Sequence, residues 1–448
     1  MNGIKKMKRR KFLYTGTTGI AGATMLSAGF SNGSPAAERN VSLEPSEIPM
    51  AEMNDFDKFS EYEKLFAQAV INMPNRNPAI VDEGAEIVQI TKSILGISDE
   101  MIPRMDYNKV GETDRGDFVI EHLTFESWKD VFGTANLYLP DIKGPIPFVL
   151  LCCGHGAGGK LYASYQAMAA FLASNGMAVL VPDNMGQGER EPMGHKEAAA
   201  PFMAGMSLQG LIVMEHMAHI KNALSERRFD PERIAAIGNS GGGTATCFLG
   251  ALVPELAALV SSGYPSTFNF IARKEKRHCC CNILPGIVGE LEMWQLYGCF
   301  APKPLLIFSG INDNMFPWDL FRHVSRKIDH VYRLLDSSAH FTSFEAPGLH
   351  GWDEARIQMT GNFLSSVFNL AIKVNVPGNA DQMLRHNNVK EWPANALDVD
   401  GIVRKITNLD IKQHIKVEDL FDNIRAENDS SKRIFSQFEL FLNGRNEM

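Results

Sequence analysis

Two hydrophobic periods divide the middle of this chain. From Asp117 onward apolar residues fall on alternate positions. Phe118-Val-Ile-Glu-His-Leu-Thr-Phe-Glu126 and Val131-Phe-Gly-Thr-Ala-Asn-Leu-Tyr-Leu139 therefore predict two antiparallel strands, closed by polar turns and by Pro140. Phe148-Val-Leu-Leu-Cys-Cys153 is apolar without a break, the pattern of a strand buried on both faces. Further strand-like runs at 177–181, 234–237, 259–262, 304–308 and 341–344 then alternate with helical stretches at 165–174, 208–224, 320–335 and 354–371. In the stretch 320–335, Leu320, Phe321, Val324, Ile328, Val331, Tyr332 and Leu335 share one face. Alternation on this scale predicts an α/β fold. Its central sheet is mostly parallel, with helices on both faces and antiparallel strands at the N-terminal side.

Outside that core the pattern thins. Residues 38–110 form a helical N-terminal segment, with periodicity at 61–71 and 85–95 separated by Pro74, Asn75 and Asn77-Pro78. The catalytic domain is assigned to 111–373. Residues 374–448 are a polar C-terminal extension with amphipathic pieces near 401–406 and 430–442, whose role the pattern leaves open. Lys8-Arg-Arg-Lys-Phe-Leu-Tyr14 precedes a soft Gly/Thr/Ala-rich run, and Ser34-Pro-Ala-Ala37 offers a cleavage region. Residues 1–37 thus resemble a twin-arginine export signal and predict a periplasmic or secreted protein.

Charge and cysteine content narrow the choices. The 448 residues carry a formal charge of −8; losing residues 1–37 removes six cations and no acids, which leaves about −14. A nucleic acid or an anionic membrane is not the expected partner. No stretch beyond the export signal reaches the ~18 apolar residues of a membrane span. Of seven cysteines, Cys152, Cys153 and Cys247 lie in apolar elements as small buried hydrophobes, while Cys279, Cys280, Cys281 and Cys299 supply at most one disulfide of undetermined pairing. Three consecutive cysteines after His278 lack zinc-site spacing, so no metal is expected, nor any organic cofactor.

The chemistry concentrates in Ile234-Ala-Ala-Ile-Gly-Asn-Ser-Gly-Gly-Gly-Thr-Ala-Thr-Cys247, a strand, a tight turn and a helix start around Gly-x-Ser-x-Gly. A serine hydroxyl needs a base to take its proton, and the base needs an acid to fix its tautomer. Downstream of Ser240 the run 305–310 enters a loop carrying Asp313. The run 341–344 then leads to Ala346-Pro-Gly-Leu-His-Gly-Trp352 and His350. Serine, acid and histidine in that order, each at a strand-to-loop transition, predict a Ser240–Asp313–His350 triad. The amide of Gly241 is one expected oxyanion donor. Gly156 or Ala157, in the loop Gly154-His-Gly-Ala-Gly-Gly159, is the expected second. His155, Gln187 and Tyr264 are candidates to line the substrate pocket. Asp183-Asn-Met-Gly-Gln-Gly-Glu-Arg190 reads equally as pocket wall or as a turn held by Asp183 and two glycines.

Residues 116–371 resemble the acetylxylan-esterase-like and dienelactone-hydrolase-like branch of the α/β-hydrolases. The resemblance rests on Leu137-Tyr-Leu-Pro140, Gly154-His-Gly156, Asp183-Asn-Met-Gly-Gln-Gly188, Asp230-Pro-Glu-Arg-Ile234, Gly-Asn-Ser-Gly-Gly-Gly and Ala301-Pro-Lys-Pro-Leu-Leu306, with His278-Cys-Cys-Cys-Asn-Ile-Leu-Pro-Gly286. It implies Ser240, Asp313 and His350 as triad and hydrolysis of small esters or acetylated carbohydrates. A glucuronoyl-esterase pattern would carry arginine beside the serine, where this chain has Gly241. Two rivals remain: a peptidase related to prolyl oligopeptidases, and an inactive carbohydrate-binding protein on the same fold. The oligomeric state is left open.

Overall fold

The computed structural model describes residues 80–195, 200–273, 280–372, 376 and 383–408. The expected export signal at 1–37 and the helical pieces at 61–71 and 430–442 lie outside the described residues. Among the described residues nine strands form one sheet: β1 (Asp106–Asp114), β2 (Phe118–Glu126), β3 (Phe132–Pro140), β4 (Ile146–Cys152), β5 (Ala178–Pro182), β6 (Phe229–Asn239), β7 (Ala258–Ser262), β8 (Leu305–Gly310) and β9 (Phe341–Ala346). Their order is β1-β2-β3-β5-β4-β6-β7-β8-β9. β1, β2, β3 and β5 are joined by antiparallel ladders, and from β5 to β9 every ladder is parallel.

Strand β4 shows why an uninterrupted apolar run belongs at the centre. All seven of its residues are buried. Phe148, Leu150 and Cys152 enter one apolar cluster, while Val149 and Leu151 enter the other, joined there by Cys153 just beyond the strand. Successive side chains on a strand point to opposite faces, so a strand covered twice must be apolar at every position. β6 and β8 repeat the division, with Ile234, Ala236, Leu305 and Ile307 on one side and Ala235, Ile237, Leu306 and Phe308 on the other. Each large apolar side chain buried this way contributes about 1.5–3 kcal/mol.

The first cluster is covered by helices α1 (Ile80–Leu95), α3 (Leu208–Ser225), α4 (Gly241–Leu252), α5 (Trp318–Leu334) and α7 (Val399–Thr407). α2 (Ala163–Ser174) and α6 (Glu354–Val367) cover the second. Among the described residues no helix is long and apolar enough to cross a membrane.

Two elements differ from expectation. β1 begins inside what sequence assigned to the helical lead-in, 38–110, and runs on into the catalytic domain. Its residues, Asp-Tyr-Asn-Lys-Val-Gly-Glu-Thr-Asp, show no apolar alternation and none is buried. It forms because β2 offers an open edge, and Lys109 is paired there with Glu112 and Glu121. A charged edge strand of this kind blunts further pairing.

The helix over 208–224 reads as amphipathic, yet α3 is buried nearly all round. Its one carboxylate finds its partners inside the protein. The Glu215 carboxylate takes both terminal nitrogens of buried Arg190, at 2.6 and 3.0 Å, and the Ser127 hydroxyl at 2.8 Å. Burial keeps its histidines uncharged: His216 is pushed down to about 3, and His219, which meets the Tyr107 hydroxyl, is held well below its ordinary value.

Residues 383–408 are bonded into the same body. Asn388 donates its side-chain amide to the carbonyls of Leu123 and Ala135 at 3.0 and 2.8 Å, across the β2–β3 ladder. The amides of Asn388 and Val389 each donate to the Glu189 carboxylate at 2.9 Å, and Val399, Ile402 and Val403 of α7 are buried.

Candidate active site

Ser240 joins β6 to α4 with φ 58° and ψ −120°, a backbone conformation that a residue with a β-carbon disfavours. Hydrogen bonds on both sides hold it there. Its N–H donates to the Ser262 carbonyl at 2.9 Å, and its own carbonyl accepts the Thr244 N–H at 2.9 Å. The flanking glycines are required by close approach. A Cβ on Gly242 would lie 1.9 Å from the Cys152 carbonyl oxygen, and one on Gly238 would lie 2.2 Å from that of Gly242. Gly-x-Ser-x-Gly is thus the sequence form of a turn squeezed between β4 and β6.

Asp313 sits in the loop after β8 and His350 in the loop between β9 and α6. His350 Nδ1 donates to Asp313 Oδ2 at 2.8 Å. The other carboxylate oxygen accepts the amides of Met315 at 2.7 Å and Phe316 at 3.0 Å. The Asp313 side chain is 1% exposed and that of His350 18%. Burial opposes the charge on Asp313, but the His350 bond and the two amides outweigh it and hold the carboxyl below its ordinary value.

The Phe316 ring stacks on His350 at 5.7 Å, and Phe316 also meets buried Tyr264 edge-on at 5.7 Å. A Cβ placed on Gly263 would lie 2.9 Å from His350 Cε1. Gly263 follows Ser262, whose carbonyl anchors Ser240. The structure therefore bonds Asp313 to His350 and sets the imidazole beside the same turn that positions Ser240.

The loop after β4 closes the other side. A Cβ on Gly154 would lie 3.1 Å from that of Ser240, and one on Gly241 would lie 2.9 Å from the His155 ring. The Gly156 N–H donates to Gln187 Oε1 at 3.0 Å, which withdraws Gly156 from the two loop amides expected to serve an oxyanion. By the same bond Gln187 braces the loop instead of simply facing a ligand. Ala157 is exposed further along the loop.

Asp183 holds the turn of its own segment. Its carboxylate accepts the Lys160 amide at 2.7 Å, the Thr134 hydroxyl at 2.7 Å and the Lys160 ammonium at 2.6 Å. Of the two readings of 183–190, the held turn describes Asp183. One contributor escaped the sequence reading: Tyr165, whose hydroxyl accepts the Gly154 N–H at 2.7 Å and so fixes the loop against Ser240. In sequence it is only an aromatic near the start of a helix, and nothing there signals the contact.

Comparisons with known proteins agree with this architecture. Residues 112–275 match the family described as acetyl xylan esterase (AXE1). YtaP of Bacillus subtilis (strain 168), a protein named as a hydrolase, is 22% identical over 203 residues, covering 42% of this chain and 68% of its own. Among solved structures, the methylesterase BT1017 superposes with a TM-score of 0.50 at 17% identity, over 87% of this chain and 79% of its own. A Bacteroides fragilis NCTC 9343 protein named as an acetyl xylan esterase gives 0.52 at 15%, over 64% and 82%. A glucuronoyl esterase from Solibacter usitatus gives 0.51 at 13%, over 66% and 93%. At these identities the structural likeness speaks for the fold, and the family match speaks for the sequence of its central part. Taken with the strand–serine–helix turn, they give this chain an α/β-hydrolase fold whose central part, residues 112–275, is similar to the acetyl xylan esterase family, and they support a serine-type ester hydrolase.

Proposed function

We propose that the protein removes acetyl groups from carbohydrate through a Ser240–His350–Asp313 triad and an acyl-enzyme. Ser240 attacks the ester carbonyl while His350 Nε2 takes its proton. Asp313 holds the proton on Nδ1 and stabilises the imidazolium. His350 then protonates the departing sugar hydroxyl, and water, activated by the same imidazole, releases acetate. The oxyanion receives the Gly241 amide and a second amide from the loop 154–159, each worth about 3 kcal/mol by analogy with other holes. His155, which directly follows the glycine packed on Ser240, is better placed for that second role than Ala157.

The observation that carries this reading is the 2.8 Å His350–Asp313 bond beside the anchored Ser240 turn. Sugar as the alcohol half is supported by the family match and by the half-exposed Tyr162 ring against the loop at Gly156, a surface on which a pyranose face can stack. Gly241 beside the nucleophile offers no cation to a uronate carboxylate, which favours acetyl over uronoyl esters.

The test is a hydrolysis screen over acetylated xylan, acetylated monosaccharides, uronate methyl esters and prolyl anilides, with fluorophosphonate labelling of the protein. Acetyl-sugar turnover, labelling at Ser240, and loss of both in Ser240→Ala are expected. Turnover retained in that variant removes Ser240 from the nucleophile's place, and cleavage confined to prolyl anilides replaces the esterase reading with the peptidase one.

A further inference from the structure

Beyond the triad, three loops at the carboxyl edge of the sheet bring together side chains that the proposed reaction does not use. His155 follows β4, His195 lies in the segment after β5, and Cys281 lies in the segment after β7. His155 Nε2 stands 3.0 Å from His195 Nε2 and 3.1 Å from Cys281 Sγ. One ligand atom from each of the three residues lies within 4.8 Å of the other two. His195 and Cys281 are buried, while His155 forms the exposed lip.

His195 Nδ1 lies 2.6 Å from the Met185 carbonyl, which only accepts; this selects the Nδ1–H tautomer, whose Nε2 presents a lone pair to the cluster. His155 Nε2 faces both that lone pair and the Cys281 sulfur, and one N–H cannot point at both. The sulfur also receives the Asn282 side-chain amide at 3.7 Å. Two imidazole nitrogens and a sulfur gathered within 4.8 Å of one another are the donor set of a thiophilic cation. A tetrahedral zinc ion with bonds of about 2.05 Å to nitrogen and about 2.3 Å to sulfur places such atoms about 3.3–3.6 Å apart. The two spacings from His155 Nε2 are tighter by only a few tenths of an ångström, and the third pair lies within 4.8 Å. The His195–Met185 bond is the outer contact that metal-bound histidines make, fixing tautomer and ring orientation.

We propose that His155, His195 and Cys281 bind a thiophilic first-row cation, zinc or copper, at the rim of the active site. The ion pins the loop after β4 to the segments after β5 and β7. Because His155 lies over Gly241, it also fixes the backbone facing the Ser240 hydroxyl. Its role is positioning, and three protein ligands leave a coordination place on the open side for water or a sugar hydroxyl. Binding displaces the thiol proton to solvent; no electron is transferred.

The experiment uses the full chain, stripped by chelator and titrated with Co²⁺ as a spectroscopic probe, with parallel Zn²⁺ and Cu²⁺ competitions that separate the two ions. One equivalent of Co²⁺ should produce thiolate-to-metal charge-transfer absorption. Cys281→Ser should abolish that band, and His195→Gln should weaken Co²⁺ binding by at least about tenfold. Cys279→Ser and Cys280→Ser should leave it intact. Circular dichroism confirms that each variant is folded; should Cys281→Ser not fold, His195→Gln decides. Absence of the band in the wild type, or a band that survives Cys281→Ser or follows Cys279 or Cys280, overturns the assignment. The readout is the metal's absorption, so it stands apart from whether Ser240 is the nucleophile.

Discussion

Asp313 has two jobs that a single oxygen could not share. Oδ1 is held by the amides of Met315 and Phe316, which leaves Oδ2 for the histidine alone. An asparagine at 313 can keep its carbonyl on those amides, but its NH₂ group then faces His350 Nδ1. The imidazole is forced to carry its proton on Nε2, toward the serine, where a base needs a lone pair. Asp313→Asn should therefore lower kcat by up to ~10⁴-fold while the thermal midpoint changes little. Steady-state kinetics on an acetyl ester, paired with a melting curve, check both halves; a near-normal kcat would place the acid elsewhere. The three triad candidates were readable in sequence because each sits at a strand end in the required order. Tyr165 was not, since its contact with Gly154 exists only once α2 lies against β4. The Gly156–Gln187 bond was hidden for the same reason.

At the scale of elements, the Ser240 turn depends on how near three backbones come. Gly242 is the tightest point, with a hypothetical Cβ 1.9 Å from a main-chain oxygen of β4. A carbonyl in the middle of a parallel sheet cannot give way as a flexible side chain can. Gly242→Ala should cost about 3 kcal/mol or more and reduce activity by shifting Ser240, as seen in the urea midpoint and in kcat. An unchanged midpoint would show that β4 and α4 leave room for a methyl group at 242. Strand β4 and helix α5 could be foreseen from their apolar periods, because burial on two faces or on one stripe writes itself into composition. β1 could not. A polar edge strand owes its existence to its neighbour's unpaired backbone groups, and its own residues carry no period of two.

Across the whole molecule, charge is buried where distant segments meet. Lys160 lies between Asp183 and Glu189, and Glu189 in turn holds the amides of Asn388 and Val389, so residues from β3 to the described C-terminal segment share one ionic knot. Glu292 is a different case. Burial is the largest influence on it and pushes its carboxyl up to about 7, against the amides of Phe268 and Met293 that favour the charge. Since the folded chain keeps this proton longer than the unfolded one, its contribution is complete below the ordinary carboxylate range and fades as pH rises through about 7. Stability should fall across that interval by at most about 1.4 kcal/mol per pH unit from this residue, and Glu292→Gln should flatten the decline. Denaturation midpoints of both proteins at about pH 5 and about pH 8 test it; parallel slopes would show that Glu292 ionises freely in the fold.

The sequence by itself determined what repeats or what is local: the periods of the central strands and helices, the glycines around Ser240, and the order serine, acid, histidine. Those features follow from rules acting within a few residues, so one dimension holds them. Tertiary structure alone decided which groups from distant loops meet. The Asp313–His350 bond, the Tyr165 clasp on Gly154, the Glu189 tie to residues 388–389 and the His155–His195–Cys281 cluster all join segments that no local pattern links. Their partners are selected by the order in which the strands lie in the sheet, and that order is settled only when the whole core packs.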